Sequence, residues 1–141
     1  MIVKAIDTCL QNAKDKGWDK TYWAFDIHGT IIRPNYKTKE IALEFYPFAM
    51  ETMQLISKRK DIVKILYTCS YPHEIVQYKE HFERNAIHFQ YVNENPEINN
   101  GAYGYYENKF YFNVLLEDKA GFDPMNDWER ILKAMSTIDQ L

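Results

Sequence analysis

The alternation of apolar and polar positions divides the chain into helices and strands that follow one another. Apolar residues at a helical period predict a first helix over residues 1–16, which Gly17 would end as a C-cap. A short apolar and aromatic run predicts a first strand over 21–25. A second helix is expected over about 47–59, begun by a proline, and the β-branched run 62–67 predicts a second strand.

The second half of the chain continues the alternation. We expect a third helix over about 72–85 and a short third strand over 88–92. Residues 93–108 are rich in turn-forming residues and predict an irregular loop. A fourth strand over 110–116 and a closing helix, from residue 124 or 125 to about 137, complete the pattern.

Strands that alternate with helices favour right-handed crossovers and a parallel sheet that is covered on both faces. We therefore predict an α/β fold, a three-layer α/β/α Rossmann-like domain with a small parallel sheet. The length of 141 residues fits one domain, 1–141, with an N-terminal helix over 1–17 and a core over 20–138. On the third helix, four apolar residues are expected to face inward: Ile75, Val76, Tyr78 and Phe82.

Composition limits the partners and the compartment. The chain has 17 Lys and Arg against 20 Asp and Glu, a net charge of −3, and no basic block, so we do not expect nucleic-acid binding. Cys9 and Cys69 are too few for a disulfide framework, and reduced thiols fit a cytoplasmic protein. Charged residues interrupt the apolar pattern of the first ten positions, so we expect neither a signal peptide nor a membrane helix.

Polar side chains follow the ends of three predicted strands. Asp26 follows the first strand, Thr68 the second, and the acidic pair Glu117 and Asp118 the last. The carboxyl ends of parallel strands lie on one rim, so these side chains can converge. Carboxylates are hard ligands that suit Mg²⁺, and Lys109 could reach the rim over its long stem. The group suits phosphoryl transfer with a divalent metal.

Four motifs together resemble those of the haloacid dehalogenase superfamily of phosphatases. Those enzymes have Asp-x-Asp-Gly-Thr after the first strand, Thr or Ser after the second, Lys ahead of the last strand and an acidic pair after it. The resemblance covers about residues 20–125, and the motifs occur in the family's order. The matching residues are Asp26-Ile27-His28-Gly29-Thr30, Thr68, Lys109 and Glu117-Asp118.

The resemblance implies a metal site for Mg²⁺ and a nucleophile. Asp26 would be both the nucleophile and a metal ligand, and the backbone carbonyl of His28 would also bind the ion. Asp118 would complete the protein ligands. Whether Glu117 or Asp123 assists Asp118 is left open, although Asp123 precedes a proline and is better read as a helix N-cap.

The resemblance also implies how the substrate is held. Thr68 would hold the phosphoryl group, and Lys109 would link it to Asp26. Ser70 either caps the next helix or joins in substrate binding. The short intervals between motifs imply a member without a cap domain. Its site would be open unless a second subunit, in a homo-oligomer, or the loop with Tyr103, Tyr105 and Tyr106 covers it.

One position departs from the family's pattern. His28 stands where the phosphatases have the Asp that protonates the leaving group and later activates water. An imidazole titrates near neutral pH, so His28 could do either task in principle, but a nearby metal ion would disfavour its charged form.

The expected function is therefore Mg²⁺-dependent hydrolysis of a phosphomonoester through an aspartyl-phosphate at Asp26, slow because of His28. The substrate would be a small phosphorylated molecule, and a nucleic-acid end stays open as a substrate. One alternative is a weakened relative that binds a phosphorylated ligand or a protein partner without turnover. A receiver-type signalling domain ranks well below, because receivers carry their acidic pair after the first strand, not after the last.

Overall fold

The fold is that of a mixed α/β protein, as predicted. The computed structural model describes residues 1–37, 40–99, 101–105 and 109–139. The main elements in chain order are α1 (Ile2–Lys16), β1 (Thr21–Phe25), α2 (Ala49–Ser57), β2 (Ile62–Leu66), α3 (Pro72–Arg84), β3 (Tyr91–Val92), β4 (Val114–Leu116) and α4 (Asp127–Asp139). A single turn of 3₁₀-helix, Asp118–Ala120, follows β4. The arrangement is Rossmann-like, with a small sheet.

The sheet is parallel and has the strand order β3-β2-β1-β4. The chain winds from β1 outward to β2 and β3, then crosses back and adds β4 on the other flank of β1. The order therefore reverses between β1 and β4. In open parallel sheets, ligands bind outside the carboxyl ends of the strands at such a reversal.

The layers on the two faces of the sheet are unequal. Successive side chains of a strand point to opposite faces. On one face, called the helical face here, Trp23 and Phe25 pack in one cluster with buried residues of all four helices, among them Ile6, Met53, Phe82 and Trp128. The opposite face, called the loop face, has a smaller cluster of Tyr22, Val63 and Ile65, covered by Tyr91, Ile98, Phe110 and Tyr111.

The second strand is one residue shorter than predicted, and the third and fourth strands are shorter by several residues. The last strand was expected from residue 110 but begins at Val114, because Asn113 pairs with Tyr22 through both its backbone and its side chain. The Asn113 N–H donates to the Tyr22 carbonyl at 2.6 Å, and its Oδ1 accepts from the Tyr22 N–H at 2.8 Å. The third strand keeps only Tyr91–Val92 of the expected five residues.

The helices follow the prediction more closely. Gly17 ends α1 with a left-handed backbone (φ 70°), as expected. The second helix begins two residues later than predicted because Phe48 is left-handed (φ 64°) and holds the chain in a turn. Val76 is 59% exposed, so its predicted inward position is wrong. The closing helix begins at Asp127, after a turn. None of these helices, over the ranges that the structure describes, is long and apolar enough to cross a membrane.

Glu97 fastens the segment that covers the loop face. Its Oε1 accepts from Lys20 Nζ at 3.1 Å and from the Tyr22 hydroxyl at 3.4 Å, and its Oε2 accepts from the Tyr91 hydroxyl at 2.8 Å. Burial and the Glu97 charge raise the pKa of Tyr22 to about 12. A cavity of about 290 Å³ lies beside this anchor, lined also by Trp18 and Tyr103, at the amino-terminal edge of the sheet.

Candidate functional site

The structure brings three of the predicted carboxylates together at the carboxyl edge. Oxygen atoms of Asp26, Glu117 and Asp118 all lie within 4.8 Å of one another. The strand register produces this meeting: Phe25 pairs with Leu116, and the Asp26 N–H continues the ladder to the Leu116 carbonyl at 3.0 Å. Asp26 and Glu117 therefore follow their strands side by side, at the point where the strand order reverses. We call these three residues the acidic cluster.

The turn after Asp26 needs glycine at position 29. The Ile27 carbonyl accepts from the N–H groups of Thr30, Ile31 and Ile32, which closes a tight turn. Gly29 has φ 76°, and a Cβ atom built there would lie 2.8 Å from Oδ2 of Asp118. The glycine thus serves two needs at once, a left-handed backbone and room for a carboxylate of the acidic cluster.

Thr30 ties this turn to the rest of the protein. Its hydroxyl accepts from the Asp118 N–H at 3.2 Å, and its carbonyl accepts from the indole N–H of Trp128 at 2.8 Å. The Trp128 carbonyl in turn accepts from the hydroxyl of Thr52 on α2 at 2.9 Å. Thr30, Thr52 and Trp128 are fully buried. The acidic cluster is thereby connected through buried hydrogen bonds to α2 and α4.

The surroundings of Asp26 destabilise the ionised form of its carboxylate. Burial is the largest cause that raises its pKa, to about 6 from an ordinary 3.8, and the charges of Glu117 and Asp118 add to the rise. The N–H of Ile27, which donates to Oδ1 at 2.9 Å, and the charge of Lys119 act in the opposite direction. A bound cation would relieve this repulsion, and the set of hard oxygen donors is one that Mg²⁺ accepts.

His28 turns its imidazole towards α3. Its Nε2 is hydrogen-bonded to the hydroxyl of Tyr78, a residue that is 1% exposed. Burial lowers the pKa of His28, with Glu74 opposing, so the ring is neutral at pH 7. Burial raises the pKa of Tyr78, and a hydrogen bond from the backbone of Ala42 acts in the opposite direction. We expect Tyr78 to donate its proton to Nε2, because a neutral phenol is a better proton donor than a neutral imidazole, which leaves the imidazole proton of His28 on Nδ1.

The backbone carbonyl of His28 is the group predicted to bind the metal ion. Its carbonyl accepts no hydrogen bond from any residue that the structure describes. A carbonyl without a hydrogen-bond partner is available as an oxygen donor for a cation. The main chain of His28 is therefore available for the predicted role, while its side chain is hydrogen-bonded to α3.

Replacing Tyr78 with Phe is expected to change the tautomer of His28. Without the hydroxyl, Nε2 loses its donor and the ring shifts to the Nε2–H form, at a cost of about 1 kcal/mol in the free energy of unfolding for the lost buried hydrogen bond. Nitrogen chemical shifts of His28 measure the change. Tyr36→Phe, at a fully exposed tyrosine, is the control and should leave the shifts unaltered. An Nε2–H form in the unsubstituted protein would contradict the assignment.

Thr68 and Ser70 lie at the end of β2 and bind each other. Their hydroxyl oxygens are 2.9 Å apart, and the Ser70 N–H donates to the Thr68 oxygen at 3.1 Å. Asn93, after β3, fixes the backbone of Thr68 by accepting its N–H and donating to its carbonyl. The capping box of α3 is built from Tyr71 and Glu74 instead of Ser70, so the serine is not needed as the cap of that helix.

Lys109 is exposed, and no hydrogen bond or ion pair joins it to the described residues. Its neighbour Phe110 packs against Tyr67 at the carboxyl edge, so the Lys109 backbone is near the edge that holds the acidic cluster. Asp123 accepts from the Met125 N–H and the Asn126 side chain, and so shapes the turn before α4.

Of the three tyrosines that could cover the site, Tyr103 lies at the other edge of the sheet. Tyr103 lines the cavity at the amino-terminal edge and packs against Tyr111. Tyr105 is 69% exposed, and Tyr106 is outside the described residues. Tyr103 therefore does not cover the acidic cluster.

Sequence reasoning assigned no role at the site to four residues that shape it: Thr30, Tyr78, Asn93 and Lys119. Asn93 carried a usable signal, because it is a polar residue directly after a predicted strand. Lys119 follows the acidic pair and could have been weighed as its counter-charge. Tyr78 was predicted only as a core residue, since a helical period identifies its face and gives no information on its hydroxyl.

Comparison with known proteins gives support for the fold alone. No protein-family model and no curated protein matches the chain. Among solved structures, it is similar to that of a conserved protein from Bacteroides thetaiotaomicron, with a TM-score of 0.64 and 23% sequence identity. The match covers 84% of this chain and 91% of the other, so nearly the whole Rossmann-like architecture is shared.

Proposed function

We propose that this protein is a Mg²⁺-dependent phosphatase of the haloacid dehalogenase type, which hydrolyses a phosphomonoester through an aspartyl-phosphate at Asp26. The observation that carries the proposal is the acidic cluster at the reversal of strand order. Three carboxylates gathered beside a tight glycine turn are costly to keep together, and a metal-dependent site gives them a use.

The metal would be held by Asp26, Asp118 and the His28 carbonyl, with Glu117 as a further carboxylate. Bound there, Mg²⁺ supplies positive charge that offsets the charge building on the phosphoryl oxygens. The donors are carboxylates and a carbonyl, which are the ligands that Mg²⁺ takes in proteins. The raised pKa of Asp26 supports the same assignment, because a cation stabilises the ionised form.

The remaining residues of the site would act on the substrate. One oxygen of Asp26 is oriented by the Ile27 N–H, which leaves the other to attack phosphorus. The hydroxyls of Thr68 and Ser70 form a pair that can donate to phosphoryl oxygens. Lys109 and Lys119 are two cations near this edge, and Lys119 already acts on Asp26 through its charge.

A second candidate is favoured by the hydrogen bond between His28 and Tyr78. The neutral ring has its Nε2 occupied, so only Nδ1 could take part in proton transfer to a leaving group. A protein without an efficient acid at this position would bind a phosphorylated ligand or partner and release it unchanged. The chain would then be a binding relative of the same superfamily.

The two free cysteines add a proposal on the compartment. Cys69 is exposed and Cys9 is buried, and neither forms a disulfide. An exposed free thiol persists in a reducing environment, which agrees with a cytoplasmic location.

Phosphate release from a panel of phosphorylated metabolites and nucleic-acid ends tests the proposal. We expect release with Mg²⁺ and none with a chelator. His28→Asp is expected to be faster than the unsubstituted protein by about 10-fold or more, because it restores a general acid and base. The control is His28→Asn, because the Asn side chain has the same shape as that of Asp but cannot transfer the proton.

The outcomes separate the two candidates. If neither the unsubstituted protein nor His28→Asp releases phosphate, the proposed phosphatase activity is wrong. If phosphate mimics then raise the melting temperature only with Mg²⁺, the binding relative is the better account. If Mg²⁺ and phosphate mimics have no effect on melting, both candidates are wrong.

A further inference from the structure

An aromatic side chain is the direct neighbour of Asp26 on the flank away from Glu117. Tyr67 follows β2, and its N–H donates to the Phe25 carbonyl at 2.7 Å. The pairing of Phe25 with Leu66 therefore continues by one residue, which sets Tyr67 beside Asp26. Neighbouring strands are about 4.8 Å apart, so the two side chains leave the sheet next to each other.

Tyr67 begins a row of three rings. Its ring centroid is 6.0 Å from that of Phe110, which is 5.8 Å from that of Phe112. Phe110 packs on the cluster of the loop face, so the ring of Tyr67 is on that face as well. We call Tyr67, Phe110 and Phe112 the aromatic row.

The side chain of Asp26 belongs to the same face. Trp23 and Phe25 point to the helical face, so alternation directs Asp26 to the loop face. All four helices lie on the opposite side of the sheet. A substrate can therefore approach the acidic cluster across the aromatic row without meeting a helix.

The aromatic row is exposed although it joins a well-packed cluster. Tyr67 is 45% and Phe112 is 38% exposed, whereas Tyr22 on the same face is 9% exposed. Single exposed apolar residues are ordinary, but contiguous ones beside a polar centre mark binding surfaces. The row is continuous with the acidic cluster through the pairing of Tyr67 with Asp26.

We propose that the aromatic row binds a planar aromatic group of the substrate, which makes the substrates aromatic phosphomonoesters. This inference rests on the proposed phosphatase and names its substrate class. Rings stack on Tyr and Phe side chains with little regard to their substituents, so an aryl phosphate and a nucleoside monophosphate share the required chemistry. The net charge of −3 favours a small ester over a nucleic-acid strand.

Steady-state kinetics on three substrates test the row. We expect Tyr67→Ala to lower kcat/KM about 10-fold for p-nitrophenyl phosphate or adenosine monophosphate, mainly through KM, as stacking energies suggest. The value for glycerol phosphate, which has no ring, should change less than about 2-fold. Tyr67→Phe should retain the unsubstituted values because it keeps the ring.

Tyr103→Ala is the matched control for the aromatic row. It removes another exposed tyrosine, which lies in the segment that covers the loop face but at the amino-terminal edge. We expect it to leave all three substrates unaffected. The ring-bearing substrate whose kcat/KM falls further in Tyr67→Ala shows whether the aromatic row fits an aryl phosphate or a nucleoside monophosphate better. Equal losses on all three substrates would overturn the proposal.

Binding to Asp26→Asn separates this inference from the proposed function. Adenosine monophosphate and phenyl phosphate are titrated into this variant with Mg²⁺ and followed by NMR, with glycerol phosphate for comparison. Tighter binding of a ring-bearing ligand, weakened by Tyr67→Ala, supports the row even if no turnover is found. Turnover without any preference for ring-bearing substrates would contradict the role of the aromatic row but not the proposed phosphatase activity. The absence of both turnover and ring-dependent binding would contradict both proposals.

Discussion

Replacing Asp26 with Asn is expected to lower the rate of phosphate release by about 1,000-fold or more, because the amide is a poor nucleophile and carries no charge for the metal. The change keeps the size and shape of the side chain. Phosphate release with saturating Mg²⁺ measures the effect. Asp19→Asn is the control, since Asp19 lines the cavity at the other edge of the sheet and should retain full activity. Release that survives Asp26→Asn would exclude the proposed nucleophile.

The same variant is expected to be more stable than the unsubstituted protein when no metal is present. The pKa of Asp26 is about 6 in the fold and 3.8 ordinarily, so the folded protein holds this proton more tightly. Stability is therefore lost as the pH rises from about 4 through 6. Asn removes that loss, which for a partly buried group is worth about 1 kcal/mol, or about 2–4 °C in melting temperature above pH 6.

Thermal melts from pH 4 to pH 8 in a chelator test this sign. The two proteins should melt together near pH 4, diverge as the pH rises to about 6, and keep a constant difference above that pH. Mg²⁺ should then raise the melting temperature of the unsubstituted protein more than that of the variant, since the ion stabilises only the charged carboxylate. A variant that is less stable at every pH would show that the acidic cluster is not under electrostatic strain.

Gly29→Ala is expected to weaken Mg²⁺ binding by about 10- to 100-fold, the usual range when the support of a metal ligand is disturbed. The new Cβ would lie 2.8 Å from Oδ2 of Asp118, so that carboxylate must move out of the acidic cluster. The left-handed backbone adds a cost of about 1–2 kcal/mol in stability. Melting temperature as a function of Mg²⁺ concentration reports both effects.

Gly17→Ala is a close control for this substitution. Gly17 has φ 70°, similar to the 76° of Gly29, but nothing lies within 4 Å of its added Cβ. It should therefore lose stability through backbone strain and keep its response to Mg²⁺. If both variants lose the same amount of Mg²⁺ affinity, crowding of Asp118 is not the cause.

The sequence predicts the sheet and the meeting of the carboxylates well, because both depend on local rules. The apolar run before Asp26 had the length of a strand, and residues that follow parallel strands share one edge. Asp26, Glu117 and Asp118 could thus be brought together without knowledge of any contact. The boundaries of β3 and β4 were less accurate, since Asn113 ends its ladder through a side-chain amide that periodicity does not reveal.

The partners of the site residues could not be read from the chain. Tyr78 and His28 are 50 residues apart, and Thr30 and Trp128 are 98 apart, so their hydrogen bonds depend on how α3 and α4 pack. The sequence also did not predict that the layers on the two faces of the sheet are unequal. An alternating pattern predicts helices, but it does not decide that all four pack on one face and leave the other to an irregular segment.

The buried hydrogen bonds of Trp128 have a consequence for the energetics of ligand binding. They hold the turn of Thr30 rigidly against α2 and α4, so the carboxylates are brought together when the protein folds and do not have to be gathered when a cation arrives. A cation that bound there would incur little loss of conformational entropy, and because it would bind only the folded state, its binding would add to the stability of the fold. The rise in melting temperature with cation concentration would then be a measure of cation affinity.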